Sequence, residues 1–462
     1  MKTDRLAGPR SASAAAGAPA PAGRPLRAGV AAGGRAPRVA PACLGERREI
    51  ACPHKVALAS GGPSEAAPPA PPLQPPSPSS IGGRRPSSAL LDVFRRIDVE
   101  PVSADGVWLD ATDGRRYLDL YGGHAVAVLG YGHPALLAAL DGQARSLMFQ
   151  SNLVDLAVRD RAAEALVRFG PPGLARVFFV STGAEANENA LRIAFLATGR
   201  RRVGSVEGAF HGRTAGAGAV TAGNAAWYGF PSRPFEVTAV PFDDAVALDA
   251  AVGDDVAAVI VEPVQGVAGA RAMSPAFLAR AREATRERGA VLVFDEVQCG
   301  MGRTGWPFAA QAFGVTPDVL TAAKGIAGGL PAGAVLVTED LASRLHKGDL
   351  GTTFGGGPLA CALIEAVIRT IQSEGLLERV RRLSARIRAE AVTGPVEAVH
   401  GMGFLLGLRT RRNAADVLAD LRARGILAGG SADPHVVRLL PPLVLEDVHV
   451  DLLVRTLAEI PA

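Results

Sequence analysis

Read from its amino terminus, the chain shows almost no periodic apolar pattern until about Ser88; an ordered alternation begins after that point. In SALLDVFRRIDV, Leu90, Leu91, Phe94 and Ile97 fall on one helical face, which predicts a helix there. GVWLDATDGRRYLDL then reads as a hairpin, with Asp113-Gly114 as the turn between alternating Val107, Leu109 and Tyr117. Past His133-Pro134, the helical stretches ALLAALDGQARSL and LAVRDRAAEALVRF lead into short apolar strands, ARVFFV, VAAVIVEP, AVLVFDEV, PDVLTAA and AGAVLVT. Helix-length segments such as PAFLARAREATRERG separate them. Strands alternating with helices predict a mostly parallel sheet covered on both faces, with ligands beyond the carboxyl ends of its strands. From Pro358 two long helices lead to a mixed segment, GFLLGL, VVRLLPP and VDLLVRTLAEI, which reads as part of a smaller α/β domain. The expected divisions are a low-complexity tail over 1–88, an N-terminal part of the small domain over 89–134, a large domain over 135–372 and the rest of the small domain over 373–462.

Composition alters this picture in one place. Of 462 residues, 48% are hydrophobic, enough for a sizeable core. The tail is Ala/Pro/Gly/Arg/Ser-rich and cannot bury enough surface to offset its ordering entropy, so disorder is expected there. The net charge of +4 belongs to it: residues 1–90 hold 12 Lys/Arg against 4 Asp/Glu, leaving 37 against 41 for the body. A mildly acidic body does not call for a nucleic-acid partner. Four scattered cysteines (Cys43, Cys52, Cys299, Cys361) make neither a disulfide framework nor a zinc site, and imply a reducing compartment. No uncharged apolar run is long enough to span a membrane. An Arg- and Ser-rich tail poor in acids reads as an unfolded extension or an organelle transit sequence, so a cytoplasmic protein is expected, or an organellar one if the tail is such a sequence.

Three motifs follow predicted strands. In VFFVSTGAEANENALRIAF, the small turn Thr182-Gly183-Ala184 opens a helix, whose free N–H groups and dipole suit a phosphate as well as an ordinary cap. In AVLVFDEVQCGMGRTGWPF, the strand ends at Asp295-Glu296, where a carboxylate serves as a cap, a metal ligand or the partner of a ring cation. GMGRTG has dinucleotide spacing, but it follows two acids, and Trp306-Pro307 interrupts the helix such a site needs. In PDVLTAAKGIAGGLPAGA, Lys324 stands between Ala323 and Gly325 at a buried strand end, where a desolvated lysine is a nucleophile toward an aldehyde. A phosphate cradle, a carboxylate for a pyridinium nitrogen and a Schiff-base lysine are together what pyridoxal 5'-phosphate requires.

On these stretches, with GRRYLDLYGGHAVAVLGYGHP, AFHGRTAGA, VEPVQG, TTFGGGPLA and VVRLLPPL in the same order, the chain resembles the class III, fold-type I aminotransferases, in the acetylornithine and ornithine aminotransferase branch. The resemblance covers all but the tail. It implies that Lys324 carries the cofactor and that Asp295 pairs with its ring nitrogen. Glu296, Val297 and Gln298 continue the cofactor-lining run, with Gln298 on the ring hydroxyl side. Thr182, Gly183 and Ala184 hold the phosphate, Thr353 joins them from a second subunit, and Phe210 stacks on the ring. Arg213 grips the substrate carboxylate, and Glu262 pairs with an active-site arginine according to the substrate bound. Ser151, Asn152 and Thr352 line the substrate channel, the last from the partner of a homodimer. His211, beside Phe210, reads as a packing or hydrogen-bonding residue.

The implied reaction moves the terminal amino group of N-acetylornithine, or a close ω-amino acid, to 2-oxoglutarate, giving a semialdehyde and glutamate, as in arginine or lysine biosynthesis. Ornithine, 4-aminobutyrate and a carrier-linked lysine are alternative donors, whose aminotransferases share every cofactor residue named; an aminomutase and a non-catalytic module are further alternatives, the module opposed by the retention of Lys324, Asp295 and Arg213 together. Three positions depart from the branch's usual pattern: Val267-Ala268 replace an acidic run, Gly357 an asparagine, and Val154 a frequent aromatic. All three concern the pocket or its rim.

Overall fold

The computed structural model describes residues 89–223 and 227–462; the expectation of a disordered tail over 1–88 lies outside the described residues. At the centre is a seven-stranded sheet. Its order across the sheet is Leu174–Val180, Gly333–Thr338, Val319–Ala322, Val291–Asp295, Val256–Val261, Arg202–Val206 and Glu236–Val240. Gly333–Thr338 runs antiparallel to both neighbours and the others run parallel, so the predicted mostly parallel architecture holds. VAAVIV and VLVFD are buried at every position, because helices cover both faces of the sheet and leave no side to carry polar residues.

The helices carry their own boundaries. Ser274 accepts from the Phe277 N–H at 3.1 Å, Pro275 occupies the first turn, and Gly289 (φ +61°) ends the helix Pro275–Arg288. Its buried side chains, Phe277, Leu278, Ala281 and Ala284, recur at the spacing of one helical face. The helix Gly183–Thr198 is capped by Thr182 and closed by Gly199 (φ +67°).

Among the described residues three smaller sheets accompany this layer, one of them only the two-stranded pair Val264–Gln265 and Arg271–Ala272. The predicted hairpin forms, Trp108–Ala111 against Arg116–Asp119, with Gly114 at φ +75°. It joins Pro101–Asp105 on one side and, across some three hundred residues, Ile426–Leu427 in parallel on the other. Val396–Met402, Leu405–Thr410 and Val436–Leu439 make the second sheet.

Two expectations change. The segment around Leu90–Ile97 is irregular, and Leu90, Leu91, Phe94 and Ile97 are exposed. A helix that short is marginal without a surface for its apolar face, and none is offered among the described residues. The strands Arg202–Val206 and Glu236–Val240 were hidden in the sequence, because RVGSV holds a glycine and a serine and EVTAV is a half-exposed edge. Among the described residues no helix is long and apolar enough to cross a membrane.

Leu292 lies wholly buried in a central strand, while Val246 is 80% exposed. Leu292→Ala should cost about 2–5 kcal/mol of stability and Val246→Ala less than about 0.5 kcal/mol, as read by urea unfolding.

Candidate functional site: a lysine and a carboxylate at the carboxyl edge of the sheet

Five parallel strands end along one edge; Asp295 is the last residue of its strand, and Thr182, Glu207, Glu262 and Lys324 follow theirs by one or two residues. Asp295, 3% exposed, is held from three sides. Asn187 Nδ2 donates to its Oδ2 at 2.7 Å, His211 Nδ1 lies 2.7 Å from the same oxygen, and the Val297 N–H donates to Oδ1 at 3.0 Å. Asn187 also donates to the His211 carbonyl and accepts from Thr321 Oγ1, and the His211 N–H donates to Thr221. Asp295 is therefore fixed by groups from three separate segments. His211, 2% exposed, takes the hydrogen-bonding role expected of it, and its Nε2 has no protein partner.

Lys324 follows its strand with φ +48°, a strained value for a residue with a side chain. Burial lowers its pKa, against the pull of Asp295 and Glu262. No hydrogen bond or ion pair engages its ammonium among the described residues. Glu262, 5% exposed, accepts from the N–H groups of Phe210 (2.7 Å) and Gly266 (3.2 Å). Burial first, and Asp295 second, raise its pKa.

The turn Thr182-Gly183-Ala184 caps its helix as predicted, Thr182 Oγ1 accepting from the Glu185 N–H at 3.1 Å. A Cβ at Gly183 would come within 2.7 Å of Val297 Cγ1 and 3.4 Å of Ala323 Cβ, so the turn, Val297 and the residue before Lys324 are in contact. Likewise a Cβ on Gly266 would collide with Gln298, which puts Gln298 beside the Glu262 loop. Gln298 Oε1 accepts from Arg438 Nη1 at 3.3 Å. Phe210 lies beside Trp227, ring centroids 6.4 Å apart, and Arg213 is exposed with its guanidinium 4.9 Å above the Trp227 ring.

Not every predicted residue joins this cluster. The carboxylate of Glu296 turns into the core and accepts from the N–H groups of Ala309 (2.5 Å) and Ala310 (2.7 Å), capping a short helix. Glu262 is paired with backbone N–H groups, not with an arginine. Asn152 donates to the carbonyls of Thr352 and Gly355, so Ser151, Asn152, Thr352 and Thr353 form a separate surface group. Beside it Met148, Phe149, Ser181 and Phe354 line a cleft of about 340 Å³.

Sequence reasoning passed over Asn187, Tyr121 and Arg438. Arg438 is 4% exposed and donates to Gly430 O, Gly266 O, Gln298 and the Tyr121 hydroxyl. One signal was available: a lone charge inside the apolar run VVRLLPP.

These residues fit pyridoxal phosphate. The unpaired Lys324 suits its aldehyde and the three-sided Asp295 its pyridinium nitrogen, and the glycine turn, closed to any Cβ, brings backbone N–H groups to its phosphate.

The chain matches the Aminotransferase class-III family over residues 94–460. It is 44% identical over 378 residues to the acetylornithine aminotransferase of Mycobacterium bovis, covering 81% of this chain and 94% of that protein. Its identity to the Streptomyces coelicolor enzyme of that name is 46% over 352 residues, 75% of this chain and 87% of the other. Among solved structures, the ornithine aminotransferase of Toxoplasma gondii is similar with a TM-score of 0.76 and 29% identity, covering 80% of this chain and 91% of that one. The chain belongs to the class-III aminotransferases. It is a pyridoxal-phosphate-dependent transaminase of the fold-type I architecture, in the branch that holds the acetylornithine aminotransferases.

Burial pushes the Glu296 carboxyl up to about 7. A carboxyl raised in the folded state contributes stability that is complete below its unfolded value near 4.5 and is lost as pH rises toward 7. Urea unfolding between pH 5 and 8 should show a wild-type decline to which this group contributes on the order of 3 kcal/mol, and a shallower decline in Glu296→Gln. Equal slopes would contradict the assignment.

Proposed function

We propose that this transaminase moves the terminal amino group of N-acetylornithine, or a close ω-amino acid, to 2-oxoglutarate, giving a semialdehyde and glutamate. The observation that carries the reading is Lys324, without a hydrogen-bond or ion-pair partner among the described residues and within electrostatic reach of the fixed Asp295, in a chain 37–46% identical to acetylornithine aminotransferases from several organisms. The product of such a transfer is a precursor for arginine or lysine biosynthesis.

When bound, pyridoxal phosphate supplies an aldehyde that captures the donor amine and a ring that takes up electron density from the donor carbon. Lys324, with its pKa lowered by burial, is the group that would carry a proton from the donor carbon to the cofactor's carbonyl carbon in the first half-reaction and in the opposite direction in the second. Asp295, held by Asn187, His211 and Val297, presents a carboxylate that keeps a ring nitrogen protonated. Gly183 and Ala184 direct free backbone N–H groups at a phosphate, and Thr182 orders the same turn. Phe210 and Val297 would line the ring and Gln298 would meet its hydroxyl side; Glu296 supports that run through its bonds to Ala309 and Ala310. Among the described residues Arg213 has no carboxylate partner and rests on Trp227, leaving its planar fork for a substrate carboxylate. Glu262 is poised to release its backbone partners for an arginine when the second substrate enters.

A homodimer completes the reading. Met148, Phe149, Leu153 and Phe354 are exposed apolar residues beside the Ser151, Asn152, Thr352 and Thr353 group, a surface suited to a second copy. Thr353 would then reach the partner's phosphate turn and Thr352 its substrate. Residues 135–372 serve as the large domain, with 89–134 and 373–462 forming the small one, a division supported by the pairing of Arg116–Asp119 with Ile426–Leu427. The bacterial and archaeal relatives favour the cytoplasm. Ornithine is the second reading, favoured by the likeness to the Toxoplasma gondii ornithine aminotransferase.

Steady-state kinetics with N-acetylornithine and 2-oxoglutarate test the assignment, with ornithine as competing donor. Lys324→Ala should abolish turnover, and Arg213→Ala should raise the donor KM by about 100-fold with a smaller change in kcat. Faster turnover of ornithine would select the second reading. Leu153→Asp with Phe354→Asp should shift the protein to monomers in sedimentation and depress activity; a dimer that persists would contradict the proposed interface.

A further inference from the structure

Immediately after the first small sheet, Gly122, Gly123, His124 and Ala125 have φ values of 54°, 55°, 65° and 70°, one complete left-handed turn. Glycine adopts this conformation freely; His124 and Ala125 do not, and strain of this kind persists only where the surroundings fix it. Here they do. A Cβ on Gly122 would approach the Leu440 carbonyl to 2.9 Å, and one on Gly325, the residue after Lys324, would approach the Ala125 carbonyl to 3.4 Å. The turn is thus wedged between the Arg438 strand and the segment that carries Lys324.

Tyr121 leads into the turn, and its ring presses on Gly429 so closely that a Cβ there would fall 1.8 Å from Cε2. Its hydroxyl lies 3.1 Å from Arg438 Nη2 and 2.6 Å from His124 Nδ1. Protons can be assigned along this chain. A guanidinium only donates, so the tyrosine oxygen accepts from Arg438 and gives its single hydrogen to His124. Burial pushes the Tyr121 hydroxyl up, so it keeps that hydrogen. His124 Nδ1 is then an acceptor, and a neutral ring carries its proton on Nε2. Desolvation, then the Arg438 and Lys324 cations, hold His124 below its usual range, so the ring stays neutral. Nε2–H has no partner among the described residues, and His124 is exposed at the side of the site where Lys324 and Arg438 act on it.

We propose that His124 is a specificity residue of this transaminase, its Nε2–H donating a hydrogen bond to an acceptor oxygen of the amino donor, either the amide carbonyl or the carboxylate. Arg438 and Tyr121 are positioning residues that fix the tautomer. The assignment rests on the amino-donor reading above and deepens it: it requires a donor that carries an oxygen acceptor as well as its reacting amine.

The test uses the holoenzyme and the variants His124→Leu, which lacks the donor, and His124→Gln, whose amide nitrogen reaches a similar position. Both keep a side chain in the left-handed turn, so strain is matched, and an unchanged cofactor absorption band and melting temperature would show intact sites. His124→Leu should lower kcat/KM for N-acetylornithine by about 10-fold or more, chiefly through KM, and His124→Gln should restore it to within about threefold. An equal loss on ornithine places the contact at the carboxylate that both donors share, and a loss confined to N-acetylornithine places it at the amide carbonyl. Nitrogen-15 spectra of histidine-labelled enzyme at pH 7 should show His124 protonated at Nε2 alone, and Tyr121→Phe should release that preference. Unchanged kinetics in His124→Leu, failure of His124→Gln to restore them, or a proton on Nδ1 would overturn the proposal. Wild type active on ornithine but inert toward N-acetylornithine would overturn the donor reading instead, and the same variants measured on ornithine would still decide this one.

Discussion

A desolvated lysine facing a desolvated carboxylate is the constraint on which this molecule is built. Neither charge is tolerable at the edge of an apolar sheet without compensation, and the two are compensated differently. Asp295 receives Asn187, His211 and the Val297 N–H, which fill its hydrogen-bonding positions. Lys324 receives nothing but distant attraction, and burial weakens its hold on a proton. One group is fixed by hydrogen bonds and the other is left free to move, which is the asymmetry that transamination needs.

The sheet supplies the placement. Parallel strands end on one edge, so side chains far apart in sequence meet there without long loops, and the helix after Val180 adds its free N–H groups at the same level. Close approach is then secured by glycine at a few points. Gly183 lets Val297 and Ala323 crowd the phosphate turn, and Gly266 lets Gln298 lie against the Glu262 loop. Backbone strain accumulates where the chemistry is, at Lys324 and in the turn containing His124, and the packed segments on either side hold it in place.

Much of this was legible in the sequence, for identifiable reasons. Strands buried on both faces read as apolar runs, so VAAVIV and AVLVFDEV were visible; the edge strand EVTAV and the glycine-bearing RVGSV lacked that signature. Lys324 stood out because a lysine between small residues at a strand end has no structural use. The partners of Asp295 did not stand out, since Asn187 lies within a helix and meets Asp295 only in three dimensions. Glu296 shows the opposite failure: adjacency to Asp295 suggested a shared role, but successive residues of an extended chain point to opposite sides, and its carboxylate went to the core. The apolar spacing of Leu90, Leu91, Phe94 and Ile97 described a face with nothing to cover it among the described residues.

The most direct measurement of the central claim is the visible absorption spectrum of the purified, cofactor-supplemented protein as N-acetylornithine and then 2-oxoglutarate are added, with Lys324→Ala in parallel. The account predicts a band from cofactor joined to Lys324 that disappears with the donor, returns with 2-oxoglutarate, and is missing from the variant. A wild-type protein that takes up cofactor without that band, or a variant that shows it unchanged, would contradict the role assigned to Lys324 and Asp295.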